Sequence, residues 1–523
     1  MDLQNTVLGI ELGSTRIKAV LIDENHAPIA TGSYSWQNLL EDGVWVYHME
    51  DAIAGIRACF MDLKKDVAKK YGVSLRRVAA IGISGMMHGY LAFDQEGNQL
   101  APFRTWRNTI TGAAAEKLSA LFHFNIPQRW SIAHLYQAIL NGESHVKDIA
   151  RLTTLSGHIH YLLTGQHVMG IGEASGMFPY DDESKDFDSQ NLTQFDKLVA
   201  EYSFPWKLRD ILPQVLPAGQ AAGTLTAAGA ALLDESGELE AGIPLCPPEG
   251  DAGTGMVATG AVTPRTGSIS AGTSAFSLQV LEQPLKNYYP EIDVVATPAG
   301  KTVAMAHTNT CSSEIDAWVG LIADAARAMG WGVDMNQLYA TLFHKALEGD
   351  ADCDGIIAFN YFAGEPLTAT PVGRPMLVRL PDSKLTTANL MRAQLNGAIA
   401  TLKIGMDMLA EKEQVESDTL LGHGGFFKTP GVGQQLLANA LNVPISTMET
   451  AGEGGPWGMA LLAAYMIRKA PEEGLEDYLH SKVFQNASST VAHPQPEGVA
   501  GFKKYLARYK ACLPAQQASA VME

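Results

Sequence analysis

Two short turns carry residue types suited to holding phosphate. In Glu11-Leu-Gly-Ser-Thr-Arg-Ile-Lys18 and in Ala271-Gly-Thr-Ser274, a glycine precedes two hydroxyl side chains. A glycine in a tight turn lets phosphate oxygens approach backbone N–H groups, and neighbouring hydroxyls add donors. Glu11 stands two positions before Gly13 and could hold a metal through water, because Mg²⁺ keeps much of its hydration shell. The plain alternative for each turn is a hairpin with a solvated tip. No GxxxxGK[ST] segment occurs, which excludes a P-loop. Asp251, between glycines in Glu249-Gly-Asp-Ala-Gly-Thr-Gly255, suits a helix N-cap or a general base in a cleft, and the two roles are compatible. His88, in Ser84-Gly-Met-Met-His-Gly-Tyr90, is either a packed side chain or a ligand contact. Arg104-Thr-Trp-Arg-Asn108 mixes an aromatic plate with donors as sugar sites do, unless its arginines are simply solvated. Gly422-His-Gly-Gly-Phe-Phe-Lys428 and Gly452-Glu-Gly-Gly-Pro-Trp-Gly458 would let a flat base and ribose approach the backbone, or are structural turns.

Such residues need strand ends to position them. Val7–Asp23 alternates as two strands joined at Gly13-Ser14-Thr15, with Ile29–Trp36 as the next partner. Ile53, Ile56, Phe60 and Leu63 recur near helical spacing within 49–70. Val78–Ser84 has the apolar run of a buried strand, and Tyr90–Phe93 with the turn Gln95–Asn98 suggests a further hairpin. Thr266–Val280 repeats the strand, Gly-Thr-Ser turn, strand theme about half the chain later. That is either coincidence or an internal duplication into two similar lobes. The expected division is 1–260 and 261–523, within an α/β fold.

Composition narrows the class. The 523 residues carry a formal charge of −18, with 46% hydrophobic and 18% charged residues. That length calls for more than one core, and that balance for a globular chain. An acidic surface disfavours nucleic acid and anionic membranes as partners. The opening MDLQNTVLGIELG lacks signal-peptide character, and the five scattered cysteines form no CxxC motif. A cytoplasmic enzyme is expected. The tail from about Gln495 suggests a docking helix with frayed last residues.

Taken in order, these segments resemble the FGGY carbohydrate kinases of the actin-like and hexokinase-like ATPase superfamily, closest to the xylulokinase and ribulokinase branch. Gly9–Lys18 is similar to the family's G-I-D-L-G-T-T/S-x-x-K loop, and Ile83–Gly89 to its G-Q-M-H-G stretch. Glu173-Ala-Ser-Gly-Met177 is similar to S-D-A-A-G-T, and Gly250–Gly255 to the G-D-N-A-A-G run with the catalytic aspartate. Gly272-Thr-Ser274 resembles the second phosphate loop, and Tyr361-Phe-Ala-Gly-Glu365 resembles P-Y-L-S-G-E-R. The resemblance implies two ribonuclease H-like α/β domains with a cleft between them. It also implies transfer of the γ-phosphoryl of ATP, with Mg²⁺, to a small open-chain sugar, a pentulose being favoured; other polyols or sugar acids, or a non-kinase ATPase or sugar-responsive regulator, are the alternatives. Sugar and ATP are then the expected ligands, and a homodimer the frequent state among relatives.

Carried over by residue, Asp251 is the implied base, and Met87, His88, Trp106 and Asn108 line the sugar pocket. Gly13, Ser14, Thr15, Lys18, Gly272, Thr273, Ser274, Gly424, Gly425 and Phe426 are implied to bind nucleotide, and Glu11 to hold the metal. Lys18 is equally readable as a surface residue. Glu11 stands where the family usually has aspartate, Arg107-Asn108 replaces Asn-Asp, and Pro366 replaces the arginine after Gly-Glu. Glycerol kinases usually have Arg-Glu in place of Met87-His88.

Overall fold

The computed structural model describes residues 3–448, 454–485 and 487–521. The chain opens with an antiparallel hairpin of β1 (Val7–Leu12) and β2 (Arg16–Ile22), to which β3 (Pro28–Ser35) adds antiparallel. Nearly every β1 residue is buried. That suits an inner strand covered on both faces, which therefore reads as an apolar run. Helix α1 (Met49–Tyr71) follows and packs on β3 and β2. Ile56, Phe60 and Leu63 form its buried stripe, and it ends at Gly72, whose φ of 70° places it in the left-handed region. The strand β4 (Ala80–Gly85) pairs parallel with β1, and β5 (Glu249–Gly250) parallel with β4. The sheet order is β5-β4-β1-β2-β3. Between β4 and β5 lies the short helix α2 (Ile171–Ala174), and β5 leads directly into α3 (Asp251–Thr259).

The hairpin expected after Tyr90 is only partly formed. A turn at Asp94–Asn98 exists, but Leu91–Phe93 pairs with Arg151–Thr153, far along the chain. Across the turn Phe93 bridges Gln99 and Leu100 N donates to Ala92 O at 2.9 Å, so the segment pairs locally on one side and with a distant strand on the other.

A second sheet repeats the first arrangement. The strands β6 (Thr266–Ala271) and β7 (Ala275–Val280) form an antiparallel hairpin around Gly272-Thr273-Ser274. Helices α4 (Ser313–Ala328) and α5 (Thr387–Glu413) come next, followed by β8 (Thr419–His423), which pairs parallel with β6 as β4 does with β1. After α6 (Val432–Leu441), β9 (Ile445–Met448) adds parallel to β8. Helix α7 (Gly454–Arg468) precedes β10 (Ser489–Ala492), antiparallel to β9, and the chain closes on α8 (Pro496–Ala518). The duplicated turn thus sits in a duplicated three-strand arrangement.

The chain divides into two compact units. The first is Met1–Thr263, Asn287–Val303 and Glu453–Ala487; the second is Pro264–Lys286, Ala304–Gly452 and Ser488–Glu523. Two stretches from the C-terminal half therefore belong to the first unit, so a cut at 260/261 does not yield two contiguous halves. The cause is α7, which packs on β1, β4 and α3. Two of its glycines leave no room for a side chain: a Cβ on Gly455 would strike the Glu11 carboxylate, and one on Gly458 the Thr254 carbonyl. Gly454–Gly458, read from sequence as an adenosine turn, thus includes two glycines that admit close helix packing; Gly452 and Glu453 lie outside the described residues. No described helix is long and apolar enough to cross a membrane.

Gly9 on β1 faces the Pro456 carbonyl at the same crossing. Gly9→Ala should therefore lower stability by about 1–3 kcal/mol through overpacking. Urea denaturation should show a lower midpoint with an unchanged slope.

Candidate active site

Parallel pairing decides which residues meet in the first unit. Leu12 of β1 lies opposite Gly85 of β4, and Gly85 opposite Gly250 of β5. All three strands therefore end at one sheet edge. Gly13–Thr15, Met87-His88 and Asp251 leave from that edge, the usual place for a ligand site in an α/β sheet.

The first turn is held by its carbonyls. Trp36 Nε1 donates to Gly13 O at 2.7 Å, the Tyr47 hydroxyl to Ser14 O, and Trp36 N to Thr15 O at 3.2 Å. The rings of Trp36 and Tyr47 stack at 4.3 Å, which stiffens this support. With the carbonyls tied down, Thr15 is exposed and Ser14 half-exposed. Trp36 and Tyr47 were missed in sequence because nothing local marks an indole as the partner of a turn 23 residues away.

Asp251 is the first residue of α3, and Gly250 occupies the N-cap. The expectation of a capping aspartate is thus corrected by one position. The Asp251 carboxylate accepts from the N–H groups of Met87 and Ala252, the latter at 2.9 Å. Glu11 and Asp251 are half-buried by exposed area, yet both are withdrawn enough for desolvation to dominate their titration. Loss of water pushes Asp251 up to about 6, against the pull of its N–H donors. Glu11 is pushed up to about 8 by desolvation and then by repulsion from Asp251, with Lys18 pulling the other way. Lys18 faces Glu11 in the β1–β2 register and is exposed.

Two further carboxyls stand behind this pair. Glu249 is buried and accepts from Gly172 N at 3.3 Å and Glu173 N at 2.9 Å, and burial raises it to about 8. Glu173 is fully buried beside Gly250, and burial holds its carboxyl well above the usual range. Among the described residues no group of three or more His, Cys, Asp or Glu side chains is arranged to enclose a metal. The like-charged pair Glu11 and Asp251 nevertheless suits Mg²⁺, which binds through one or two carboxylates, waters and substrate phosphates.

Met87 fills the space beside Gly250 and Gly176. His88 is buried, with Nδ1 at 2.9 Å from Gly176 O. A carbonyl only accepts, so Nδ1 carries the proton and Nε2 is left as an acceptor. Burial and then Arg129 push His88 down to about 3, so the ring is neutral. Trp130 stacks on it at 6.2 Å, fully buried, with its Nε1–H unpartnered. Trp130 directly precedes the helix Ser131–Leu140 as its N-cap residue, and nothing local in the sequence marks it as the partner of His88.

The remaining sugar candidates separate from this cluster. Asn108 is buried, and both ends of its amide are engaged: Oδ1 accepts from Trp45 N at 2.8 Å, while Nδ2 donates to Trp45 O at 2.8 Å and Thr105 O at 3.0 Å. The Asn108 amide thus braces two backbone segments. Trp106 is 39% exposed. Arg104 pairs with Glu143, and Arg107 lies over the Trp45 ring at 3.9 Å, so both arginines have partners away from His88.

The second unit builds its turn in the same way. Ser312 donates from N at 3.0 Å and Oγ at 2.7 Å to Gly272 O, Cys311 N to Thr273 O at 2.7 Å, and Gly272 N to Ser274 O at 2.9 Å. Thr273 is exposed. Ser270 lies opposite His423, so Gly424 emerges beside this turn. Gly424 has φ 103°, and a Cβ there would strike Ala271 O. Gly425 faces open space, whereas the Phe426 ring is buried against Gly433. Phe426, expected among nucleotide contacts, is thereby a core side chain whose part in the site is limited to its backbone.

Residues 6–257 match the FGGY family of carbohydrate kinases, N-terminal domain, and residues 267–467 the C-terminal domain of that family. A xylulose kinase of Haemophilus influenzae is 22% identical over 96% of this chain and 98% of its own length. An L-fuculokinase of Escherichia coli K12 is 22% identical over 90% of this chain and 94% of its own. The crystal structure of ligand-bound xylulose kinase from Lactobacillus acidophilus superposes with a TM-score of 0.78 at 17% identity, covering 99% of each chain. The fold is the two-domain α/β fold of such kinases.

Because Asn108 bridges backbone groups, Asn108→Ala should cost about 1–3 kcal/mol by stranding the Trp45 N–H and carbonyl. Differential scanning calorimetry should show the lowered Tm.

Proposed function

The chain belongs to the FGGY family of carbohydrate kinases and is a phosphotransferase with an alcohol acceptor; from that premise we propose that it moves the γ-phosphoryl of MgATP to a hydroxyl of an open-chain pentulose of xylulose or ribulose type. The observation that carries the reading is Asp251. A carboxyl near neutrality, fixed by backbone N–H groups at a sheet edge, has the pKa and rigidity of a general base.

Asp251 accepts the proton of the attacking hydroxyl. His88 Nε2 accepts a second sugar hydroxyl, and Met87 and Trp130 form the apolar wall beside it. Met87 also holds Asp251 through its N–H, so the sugar wall and the base are one assembly. Each unit by itself offers a tied-back turn whose amides and hydroxyls suit phosphate oxygens, Gly13–Thr15 in the first and Gly272–Ser274 in the second, and within the second Gly424-Gly425 leave room for a nucleoside. Phosphoryl transfer asks mainly for alignment and charge neutralisation, which such fixed donors provide. Glu11 would hold the hydrated Mg²⁺, whose charge offsets that of the phosphates. Lys18, exposed and opposite Glu11, supplies a further positive charge at this edge. The five cysteines are free, as a reducing compartment keeps them, and we place the enzyme in the cytoplasm.

The xylulose kinase relative favours a xylulose-type acceptor, and the L-fuculokinase relative keeps a longer deoxy-ketose as the second reading. A coupled ADP-release assay across the pentuloses, L-fuculose, glycerol and gluconate decides between them. One pentulose should stimulate turnover strongly. Stimulation by fuculose alone would select the second reading, and no stimulation by any acceptor would overturn the kinase assignment.

Asp251→Asn should lower kcat by ~10²–10⁴ with ATP affinity nearly intact, measured by steady-state kinetics and nucleotide titration. Equal loss of nucleotide affinity would make the residue structural. A base works only when ionised, so kcat/KM should rise with pH to a plateau above about 6. Below that value it should fall about tenfold per pH unit. Asp251→Asn should abolish this acid limb.

A further inference from the structure

Two carbonyls of the second turn, those of Gly272 and Thr273, are gripped by Ser312 and Cys311. The segment 309–312 that supplies these groups is itself clamped from its other side. Asn360 Nδ2 donates to Cys311 O at 2.6 Å. Glu365 Oε2 accepts from Asn309 N at 2.9 Å, and the Asn309 amide returns a bond to Gly364 O at 2.6 Å. Glu365 is 1% exposed, and its other oxygen, Oε1, is buried without a hydrogen-bond partner among the described residues. A buried carboxyl at a loop base is costly to keep unless its hydrogen bonds define the loop's shape. All these groups lie within the second unit.

We propose that Glu365 is a positioning residue for the phosphate turn Gly272–Ser274, acting through Asn309 and the Cys311-Ser312 amides. Glu365 touches neither nucleotide nor sugar in this scheme. Its carboxyl fixes Asn309, Asn309 sets the path of 310–312, and that path aims two N–H groups at the turn's carbonyls. Aiming the carbonyls backwards leaves the turn's donors for phosphate. Burial raises the carboxyl to about 8, so glutamine is a close replacement for the form present at neutral pH. The inference rests on reading Gly272–Ser274 as a phosphate turn, and the test separates the two.

Steady-state kinetics on the purified full chain should show Glu365→Ala raising KM for MgATP by roughly 10–100-fold, the scale of a displaced positioning group. KM for the sugar should stay within about twofold, because a local nucleotide defect splits the two constants. Titration should show ADP weakened and AMP unchanged, since only the outer phosphates lose donors. Glu365→Gln, which keeps an acceptor oxygen, should restore ATP KM to within about threefold of the parent. Gly272→Val is the control for the turn. If Gly272→Val leaves ATP KM unchanged, the phosphate-turn reading falls. If Gly272→Val raises it while folded Glu365→Ala does not, or if Glu365→Ala raises both KM values together, the positioning role falls. Should Glu365→Ala fail to fold, Glu365→Asp, one methylene too short for Asn309 N–H, decides by the same split.

Discussion

Parallel hydrogen-bond register is the constraint on which the first unit's site depends. Leu12, Gly85 and Gly250 are aligned across three strands, so a turn, a loop and a helix start must emerge side by side. Shifting one strand by a residue would move every side chain to the opposite face and separate Asp251 from Met87. The second unit applies the same constraint through β6 and β8, which bring Gly424 to the turn at Gly272. One strand arrangement, used twice, thus yields two tied-back turns.

Crowding then sets the electrostatics. Glycines at positions 9, 455 and 458 let α7 lie directly on β1 and α3, and this contact covers the Glu11 carboxylate. Desolvation raises both carboxyls, Asp251 to about 6 and Glu11 to about 8, and repulsion from Asp251 adds to the rise of Glu11. Gly455 also accounts for the longer acid at position 11: the Glu11 carboxylate occupies the space where any other residue at 455 would place its Cβ.

The support for both turns comes from carbonyl acceptors rather than from the turn side chains. In the first unit Trp36 and Tyr47 provide it, and in the second Cys311 and Ser312. The chemistry differs, an aromatic pair against a loop amide pair, while the outcome is the same. Conformational freedom removed in the folded protein need not be lost again on binding any ligand, which is what preorganisation contributes.

Much was legible in the chain itself. The Gly-Ser-Thr and Gly-Thr-Ser turns, their strand context, the α1 stripe, Met87-His88 and Asp251 were all visible, because glycine placement and apolar periodicity are short-range signals written in order. Partners were not. Asn108 became a brace to Trp45, Phe426 a core ring, and Tyr90–Phe93 the mate of a distant strand. Sequence determines which residues can donate, accept or turn. Only the tertiary structure decides which of those capacities are already satisfied, because a hydrogen bond or a close packing contact between residues far apart in the chain leaves no local pattern.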